Sequence, residues 1–437
     1  WTEWMKGVKG CGPAMAGVII SEIDIAKASY ASSLWKYCFP AGTLIQTSNG
    51  GIPIEALTKG DTVIDADGQY TLVKETFSRP YEGAFTILKA IGLPEFSCTS
   101  KHPLLVSSVI ESVPQWTEAA NVKIGDYLCV PILRTASSLQ TLQWHAPERS
   151  TRLNPQLKEP LPLCEEVLQL FGHFVADGSA TLWEKQEGAR GIIQITDGLD
   201  ETEKLLELHD IVERYMGKAF LMEQERSLQL HFGGRAVTQR FAEWFGQGAH
   251  NKKIPAFIMD LTDPLLIKAF LLGYFYGDGH TVKRGKSQGT ILASSASAGL
   301  IYQIQLLCTK LGFFPTIHII RRDGSQEETV EHQIAGHSVT SRVARYCLAV
   351  AQSDAMRVFA TDTKSLNRAA RKVHYYGGYW KLRISSVEEE KRNEIVYNLH
   401  TESNTYLAYN CAVHNCGLDV AGDGRGRSRK AEHLVKV

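Results

Sequence analysis

The pattern of hydrophobic and polar positions differs between stretches of the chain. Between residues 42 and 131, short apolar runs are separated by turn sequences such as Asn49-Gly50-Gly51, which is typical of β-strands. Similar short runs return between residues 384 and 413. The pattern predicts one all-β unit formed by two separated stretches of the chain.

The stretch between them has a different period. The segments with helical spacing of apolar residues are 165–175, 201–215, 265–276 and 299–311. Strand-like segments alternate with them, for example 191–195 and 227–232. Residues 134–162 are rich in Ser, Gln and Pro and predict a linker. We therefore expect a mixed α/β domain inserted into the β unit.

Length and composition narrow the class of protein. A chain of 437 residues predicts about two to four domains, and a net charge of zero means that any nucleic-acid contact must come from local basic stretches. Nine cysteines without CxxC spacing favour free thiols in a reducing, cytoplasmic compartment. The apolar run 265–276 contains Lys268 and is too short to span a bilayer, so no membrane is expected. The chain begins with Trp1, which predicts that it is a piece of a longer protein.

Three residues at the start of the β unit suit a first acyl transfer. Cys38 opens the unit, and Thr99 and His102 are spaced as Thr-x-x-His. A thiol beside its own carbonyl can attack it and convert the preceding amide into a thioester. His102, with an expected pKa near its ordinary value of about 6.5, can shuttle a proton, and Thr99 can orient the amide.

The end of the β unit supplies the remaining steps. His414, Asn415 and Cys416 follow one another. Cys416 can take over the thioester, and Asn415 can cyclise on its own carbonyl and release Cys416. His414 can donate a proton to the departing amine.

Cys38 and its neighbours in the motifs also fit three simpler roles. A single cysteine or histidine is usually part of a core. A hedgehog-like autoprocessing domain would need Cys38, Thr99 and His102 but not Asn415 before Cys416. A plain cysteine hydrolase would need a groove for an external substrate. Only self-splicing uses both ends of the unit.

The motifs that contain these residues resemble the intein family. The resemblance implies the Hint fold, a β horseshoe, and a reaction that removes residues 38–415 and joins Tyr37 to Cys416. Asn398 stands where many inteins carry Asp, and Asn404 stands where His is common. The family's Asp helps to coordinate the first two steps, so the resemblance leaves open how Asn398 affects their rate and order.

A repeated segment marks the inserted domain. Residues 170–178 and 271–279 are both apolar, contain small residues one turn apart, and end in Asp-Gly. Close packing of two such helices would bring Asp177 and Asp278 together, where they could bind Mg²⁺ for cleavage of a phosphodiester. A buried helix with a glycine cap is the alternative for either copy.

The two segments resemble the paired motifs of LAGLIDADG homing endonucleases. The resemblance implies that Asp177 and Asp278 are catalytic metal ligands, and that the segment 251–255 supplies an active-site lysine, assigned to Lys253. It also implies a double-stranded DNA partner and a monomeric protein. A free-standing homing endonuclease would account for residues 163–383 but not for the split β unit.

Basic residues are candidates for DNA contacts, although each of them fits a solvated charged face equally well. The candidates are Lys283, Arg284, Lys286, Arg321, Arg322, Arg371, Lys372, Lys381 and Arg383.

The flanks resemble part of an insertion-sequence transposase with a RuvC-like domain and a C-terminal serine. Gly10-Cys11-Gly12 resembles the turn of a helix-hairpin-helix, and transposon ends would then be a further DNA partner. Ser29 is the candidate serine, Ser32 and Ser33 are close alternatives, and a non-catalytic helix surface is equally compatible. The predicted divisions are 1–37 and 416–437 for the host protein, 38–150 and 384–415 for the β unit, and 151–383 for the endonuclease.

Overall fold

A computed structural model describes residues 38–143, 160–185, 188–283, 287–321, 330–334, 337–341, 344–359 and 373–415. The predictions for the flanks, including Ser29 and Cys416, lie outside these residues. So do the candidate DNA contacts Arg284, Lys286, Arg322, Arg371 and Lys372.

The strands follow in chain order. They are Phe39–Pro40 (β1), Leu44–Thr47 (β2), Gly50–Pro53 (β3), Thr62–Ile64 (β4), Tyr70–Ala90 (β5), Phe96–Thr99 (β6), Pro103–Ser107 (β7), Gln115–Glu118 (β8), Tyr127–Pro131 (β9), Thr141–Leu142 (β10), Leu161–Pro162 (β11), Gly178–Lys185 (β12), Gly188–Gly198 (β13), Ala219–Glu223 (β14), Ser227–Phe232 (β15), Gly279–Thr281 (β16), Ile291–Ser295 (β17), Thr316–Arg321 (β18), Val330–Ile334 (β19), His337–Ser341 (β20), Ala344–Val350 (β21), Val373–Tyr376 (β22), Tyr379–Thr401 (β23), Thr405–Ala408 (β24) and Cys411–His414 (β25).

The described α-helices all lie between β11 and β22. They are Glu165–Asp177 (α1), Thr202–Tyr215 (α2), Arg235–Phe245 (α3), Ala256–Met259 (α4), Pro264–Gly277 (α5), Ala298–Lys310 (α6) and Gln352–Phe359 (α7). The four helices expected from apolar spacing are confirmed by α1, α2, α5 and α6, with ends that differ by at most two residues.

The predicted split β unit is present as one sheet. Its strand order is β1-β23-β9-β7-β25-β24-β2-β4-β5-β6, with β3, β8 and β22 paired at its sides. The two long strands also pair with each other, in an antiparallel ladder that runs from Ile384 opposite Ala90 to Thr401 opposite Val73. The N-terminal and C-terminal stretches of the unit are therefore joined by backbone hydrogen bonds along most of their longest strands.

The predicted boundary at residues 383 and 384 is corrected by the pairing of β23 with β9. Residues 379–383 form the start of β23 and pair with β9, and β22 pairs with the same stretch. These residues belong to the β sheet because their backbone groups are bonded within it. The ends of the predicted linker are also ordered, since β10 pairs with β11.

The inserted domain contains two similar halves. In the first, α1 leads into a sheet of order β12-β13-β15-β14, and in the second, α5 leads into a sheet of order β16-β17-β21-β18. The matching strand pairs use the same register, with Gly178 opposite Ile195 and Gly279 opposite Ala293. The repeated sequence segment therefore corresponds to a repeated strand pairing.

Helices α1 and α5 pack backbone to backbone. A Cβ added at Gly172 would lie 2.0 Å from the carbonyl oxygen of Phe270, and one added at Gly273 would lie 2.0 Å from that of Gln169. Only glycine permits this approach. The expectation that small residues would bring two helices together is confirmed.

The glycine after each motif has a packing role. Gly178 is extended, with φ of −84°, so it is not a left-handed helix cap. A Cβ would lie 2.5 Å from the carbonyl oxygen of Phe174 at Gly178, and 2.2 Å from that of Phe275 at Gly279. The alternative of a simple glycine cap is therefore wrong for these helices.

Helix α6 connects the inserted domain to the β sheet. Gln305, fully buried, donates to the carbonyl oxygen of Gly92 at 3.2 Å. The side-chain nitrogen Nδ2 of Asn410 donates to Gln305 Oε1 at 2.8 Å and to the Tyr302 carbonyl oxygen at 3.0 Å. These bonds tie α6 to the turn before β25, so the insert shares a core with the unit that surrounds it.

In the part of the chain that the structure describes, no helix combines the length and apolar character needed to cross a membrane.

We expect Gly172→Ala to destabilise the protein by about 1–3 kcal/mol, because the added methyl group would force α1 and α5 apart. Thermal unfolding of the full chain, made splicing-inactive, measures this. Leu265→Ala is the control, since Leu265 lies on α5 but is 58% exposed. Equal stability of Gly172→Ala and the parent would contradict the packing argument.

Candidate functional site

Cys38 is held by Thr99 on both sides of its backbone. The Cys38 amide donates to Thr99 Oγ1 at 2.9 Å. The Cys38 carbonyl oxygen accepts from the Thr99 amide at 3.0 Å and from its hydroxyl at 3.2 Å. Cys38 is 2% exposed and Thr99 is fully buried. The amide that would break in a first acyl transfer is therefore fixed by a single side chain.

The sheet positions Thr99 at this point. Strand β6 pairs with β5, placing Thr99 opposite Phe85, and Phe85 packs with Cys38 and Val396 in a small buried cluster. Strand β1, which follows Cys38, pairs with β23. The strand after Cys38 and the strand that carries Thr99 are therefore each paired with one of the two long strands.

His102 contacts Thr99 and Phe39, next to Cys38. Its amide donates to the Thr99 carbonyl oxygen at 2.8 Å, and its ring lies 4.2 Å from that of Phe39, centroid to centroid. Burial, together with the positive charge that His414 can carry, lowers the pKa of His102 to about 3. The expected pKa of about 6.5 is wrong because the imidazole is fully buried. His102 is neutral near pH 7.

Burial also raises the pKa of the Cys38 thiol to about 11, although the nearby Arg79 guanidinium opposes the shift. The thiol is therefore protonated near neutral pH. Arg79 was not recognised in the sequence. Its place opposite Val396 in the ladder could not be read without the register of β5 and β23.

The other end of the β unit lies near the first. Strand β25 pairs with β7 through Val413 and Leu104, so His414 comes close enough to His102 to influence its pKa. His414 Nδ1 lies 2.6 Å from the carbonyl oxygen of Asn415. That position suits polarisation of the carbonyl that an Asn415 cyclisation would attack.

Asn415 is anchored by a turn between β23 and β24. Its amide donates to the Asn404 carbonyl oxygen at 2.9 Å. In the side-chain orientation that satisfies both neighbours, Nδ2 donates to the same oxygen at 3.0 Å and Oδ1 accepts from the Thr401 amide at 2.8 Å. Asn404 has φ of 62°, which Asn tolerates well. Asn404 thus acts through its backbone.

Asn398 is buried beside the Cys38 region. Its Oδ1 accepts from the Leu399 amide at 2.8 Å and from the Tyr406 hydroxyl at 3.0 Å. The Tyr406 ring lies edge-on to Phe39, 6.3 Å away. Asn398 therefore supports the strand that follows Cys38 through a neutral hydrogen-bond network.

A second site lies where α1 and α5 end. A Cβ on Gly277 would lie 2.3 Å from Asp177 Oδ2, so this carboxylate rests against the end of α5. Burial, and then the neighbouring Asp177 charge, raise the pKa of Asp278 to about 7. Burial also raises the pKa of Asp177. The predicted meeting of the two carboxylates is observed, and their mutual repulsion is what a bound divalent cation would relieve.

The lysine beside these carboxylates is Lys252. Its Nζ donates to the carbonyl oxygen of Ala176, and burial lowers its pKa while Asp278 and Asp177 oppose that shift. The sequence assignment was Lys253, whose Cβ lies 3.3 Å from where a Cβ on Gly50 would be. Because the two lysines are adjacent, the sequence does not show which of them faces the carboxylates. The path of the backbone shows that it is Lys252.

Two further polar residues were not recognised in the sequence. His173 lies one turn before Asp177, and its Nε2 is 2.9 Å from Asp197 Oδ1 on β13. His173 is inside the repeated motif, which was a usable signal. The sequence contained no signal for Asp197, because only the pairing of β12 with β13 brings it close to His173 and Asp177.

The candidate DNA contacts are scattered. Lys381 is wrong as a phosphate contact, because it is fully buried and its Nζ donates to Ser107 Oγ and lies 3.5 Å from Cys129 Sγ. Arg383 is exposed, but it lies on the β sheet opposite Tyr127. Lys283 is exposed after β16, and the backbone of Arg321 ends β18. The last three remain predictions.

Two domain families match the chain. Residues 37–90 match the Hint domain, and residues 266–360 match the LAGLIDADG-like domain.

Longer relatives cover almost the whole chain. An ATP-dependent DNA helicase of Thermococcus kodakarensis is 24% identical over 95% of this chain and 40% of its own length. An iron–sulfur cluster assembly SufBD family protein of Mycobacterium bovis is 25% identical over 91% of this chain and 45% of its own length. The chain thus spans less than half of these curated relatives.

Two solved structures are each similar to part of the chain. The structure of I-DmoI in complex with DNA and manganese covers 47% of this chain and 99% of its own, with 14% identity and a TM-score of 0.32. A bacterial intein-like domain from Clostridium thermocellum covers 21% of this chain and 64% of its own, with 30% identity and a TM-score of 0.18. The two family matches therefore show that one region of the chain is similar to the Hint domain and a later region to the LAGLIDADG-like domain.

Proposed function

We propose that the chain is a self-splicing precursor in which residues 38–415 are an intein that excises itself and joins Tyr37 to Cys416. The observation that carries the proposal is the double hold of Thr99 on the Cys38 backbone, next to His102 and His414 from opposite ends of the unit. A structural cysteine needs no such arrangement around its amide.

In the first step the Cys38 sulfur attacks the Tyr37 carbonyl carbon, and the Tyr37–Cys38 amide bond breaks. Neutral His102 accepts the thiol proton as the new carbon–sulfur bond forms. Burial disfavours the resulting imidazolium, so it passes the proton to the departing nitrogen, which becomes the free amine of Cys38. Thr99 holds that nitrogen throughout.

The Cys416 sulfur then attacks the thioester carbon, which transfers the first flank to Cys416 and releases the Cys38 thiol. Asn415 Nδ2 attacks the Asn415 carbonyl carbon and closes a five-membered ring, and the amine of Cys416 leaves with the proton that Nδ2 gives up. His414, beside the carbonyl oxygen, stabilises the charge that develops there. A sulfur-to-nitrogen acyl shift on Cys416 completes the new peptide bond.

The curated relatives support this proposal. A DNA helicase and an iron–sulfur assembly protein have unrelated names, yet each resembles nearly all of this chain over less than half of its own length. A segment that occurs in unrelated proteins is what a self-removing insert would produce.

We further propose that the inserted domain is a site-specific endonuclease acting on double-stranded DNA. Asp177 and Asp278 would hold a divalent cation such as Mg²⁺, which when bound activates water and stabilises charge on the scissile phosphate. Lys252, next to both carboxylates, is placed to neutralise that phosphate. The protein is proposed to act as a monomer in the cytoplasm, without a membrane.

The flanking residues retain their proposed role as parts of a DNA transposase that binds transposon ends, with Ser29 as the candidate serine. This role rests on the sequence alone.

For splicing, the full chain should yield free 38–415 and a joined product of residues 1–37 and 416–437, both identified by mass spectrometry. Cys38→Ala should abolish joining but still permit cleavage after Asn415, and Asn415→Ala should block that cleavage. Cys164→Ala, at a cysteine outside the site, is the control. A chain that stays intact under all conditions would refute the proposal.

For the nuclease, the substrate is DNA encoding residues 1–37 joined directly to 416–437, the sequence that an insertion would interrupt. Asp177→Asn and Asp278→Asn should each reduce cleavage about 10²-fold or more. Lys252→Met should impair cleavage strongly, and Lys253→Met, the matched neighbour, should not. Loss of activity in Lys253→Met alone would return the role to Lys253.

For the first splicing step, the rate should stay nearly constant between pH 6 and 8, because the thiol remains protonated below its pKa of about 11 and neutral His102 is available to accept its proton throughout this range. No inflection is expected near pH 6.5, because the pKa of His102 is about 3. Thioester formation in Asn415→Ala, trapped with an added thiol, gives the rate. An inflection near 6.5 that disappears in His102→Ala would contradict the neutral imidazole.

A further inference from the structure

A histidine and two carboxylates converge in the first half of the inserted domain. His173 and Asp177 are four residues apart on α1, so they share one face of the helix. Asp197 reaches the same place from β13. One ligand atom from each residue lies within 4.8 Å of the other two.

Burial makes this cluster unusual. The side chains of His173 and Asp197 are 3% and 2% exposed. Asp197 Oδ1 meets His173 Nε2, but the buried Oδ2 has no hydrogen-bond partner among the described residues. A buried carboxylate oxygen is costly to leave without a partner, and a bound cation would satisfy it. Asp177 is only partly buried and provides a path to solvent.

The spacing of the ligand atoms suits a metal ion. Bonds of about 2.1 Å from one ion to two ligands at a right angle place the ligand atoms about 3 Å apart. Nε2 of His173 and Oδ1 of Asp197 are 2.9 Å apart. An ion could therefore replace the proton between them with little movement of either side chain.

The second half of the domain lacks this combination. Tyr274 lies four residues before Asp278, where His173 stands before Asp177. Ser295 lies two residues after Ala293, as Asp197 lies two residues after Ile195 in the matching ladder. Neither the Tyr274 phenol nor the Ser295 hydroxyl is an imidazole or a carboxylate, which are the ligand types that such ions favour.

We propose that His173, Asp177 and Asp197 form a binding site for one first-row transition-metal dication, present in the first half of the domain alone. Imidazole favours such ions over Mg²⁺, which prefers all-oxygen ligands. The site shares Asp177 with the proposed nuclease site, but it does not use Asp278 and does not need DNA.

Mn²⁺ is the probe, because its electron paramagnetic resonance signal reports both binding and nitrogen ligands. The sample is the full chain with Cys38→Ala and Asn415→Ala, which keep it in one piece, without DNA and with Mg²⁺ in excess. We expect one bound Mn²⁺ with nitrogen modulation in the spin-echo signal. His173→Gln should remove that modulation, and both His173→Gln and Asp197→Asn should weaken binding by about tenfold or more.

Two variants serve as matched controls. Ser295→Ala changes the equivalent position of the second half, and Asp278→Asn removes the other carboxylate of the proposed nuclease site. Both should retain Mn²⁺ binding and the nitrogen signal. Circular dichroism without metal checks that every variant is folded.

A bound Mn²⁺ without nitrogen modulation in the parent chain would overturn the proposal, as would undiminished binding in folded His173→Gln. Binding lost equally in Asp278→Asn would place the ion at the paired carboxylates instead. Failure of the nuclease proposal is separate, since it would appear as absent DNA cleavage with the Mn²⁺ signal intact.

Discussion

The antiparallel ladder between β5 and β23 is the interaction on which the splicing end of the molecule depends. It joins stretches about three hundred residues apart in sequence, so its backbone bonds must offset a large loop-closure entropy. Strand β1 pairs with β23 and β6 pairs with β5, so Cys38 and Thr99 are both positioned by this one ladder. Any change in its register would separate the nucleophile from the group that holds it.

The same pairing allows an entire domain to fit inside the sheet. Strand β9 ends at Pro131, which lies opposite Tyr379 at the start of β23. The chain therefore leaves the sheet and returns to it on neighbouring strands. An insert between such points does not disturb the ladder. Helix α6 then packs on the sheet, and through Gln305 and Asn410 its position is linked to the turn before β25.

The insert depends on a different constraint, the close approach of α1 and α5. Gly172 and Gly273 allow backbone contact, which forces two carboxylates together at the helix ends. Burial, and then that proximity, raise the pKa of Asp278 and create a place where a cation is favoured. The two halves share backbone register but not chemistry, because His173 and Asp197 are replaced by Tyr274 and Ser295.

Local spacing along the chain was enough to predict the periodicities and the reactive residue types. Alternating short runs, apolar helical stretches and a repeated Asp-Gly ending depend on local spacing, so the four helices and the meeting of Asp177 with Asp278 could be predicted. The roles expected of Cys38, His414 and Asn415 likewise followed from residues next to the bonds concerned, and the role expected of Thr99 followed from the Thr-x-x-His spacing.

Tertiary structure decided everything that depends on burial and on register. The sequence predicts that Lys381 is a basic surface residue, but its strand buries it completely. From the sequence alone, His102 is expected to have its ordinary pKa. Complete burial, which only the fold shows, lowers that pKa and keeps the imidazole neutral. Lys252 rather than Lys253 faces the carboxylates, and Asp197 joins them, because strand pairing and chain direction set which side chain points inward. Those quantities arise from contacts between residues distant in sequence, and local spacing does not contain them.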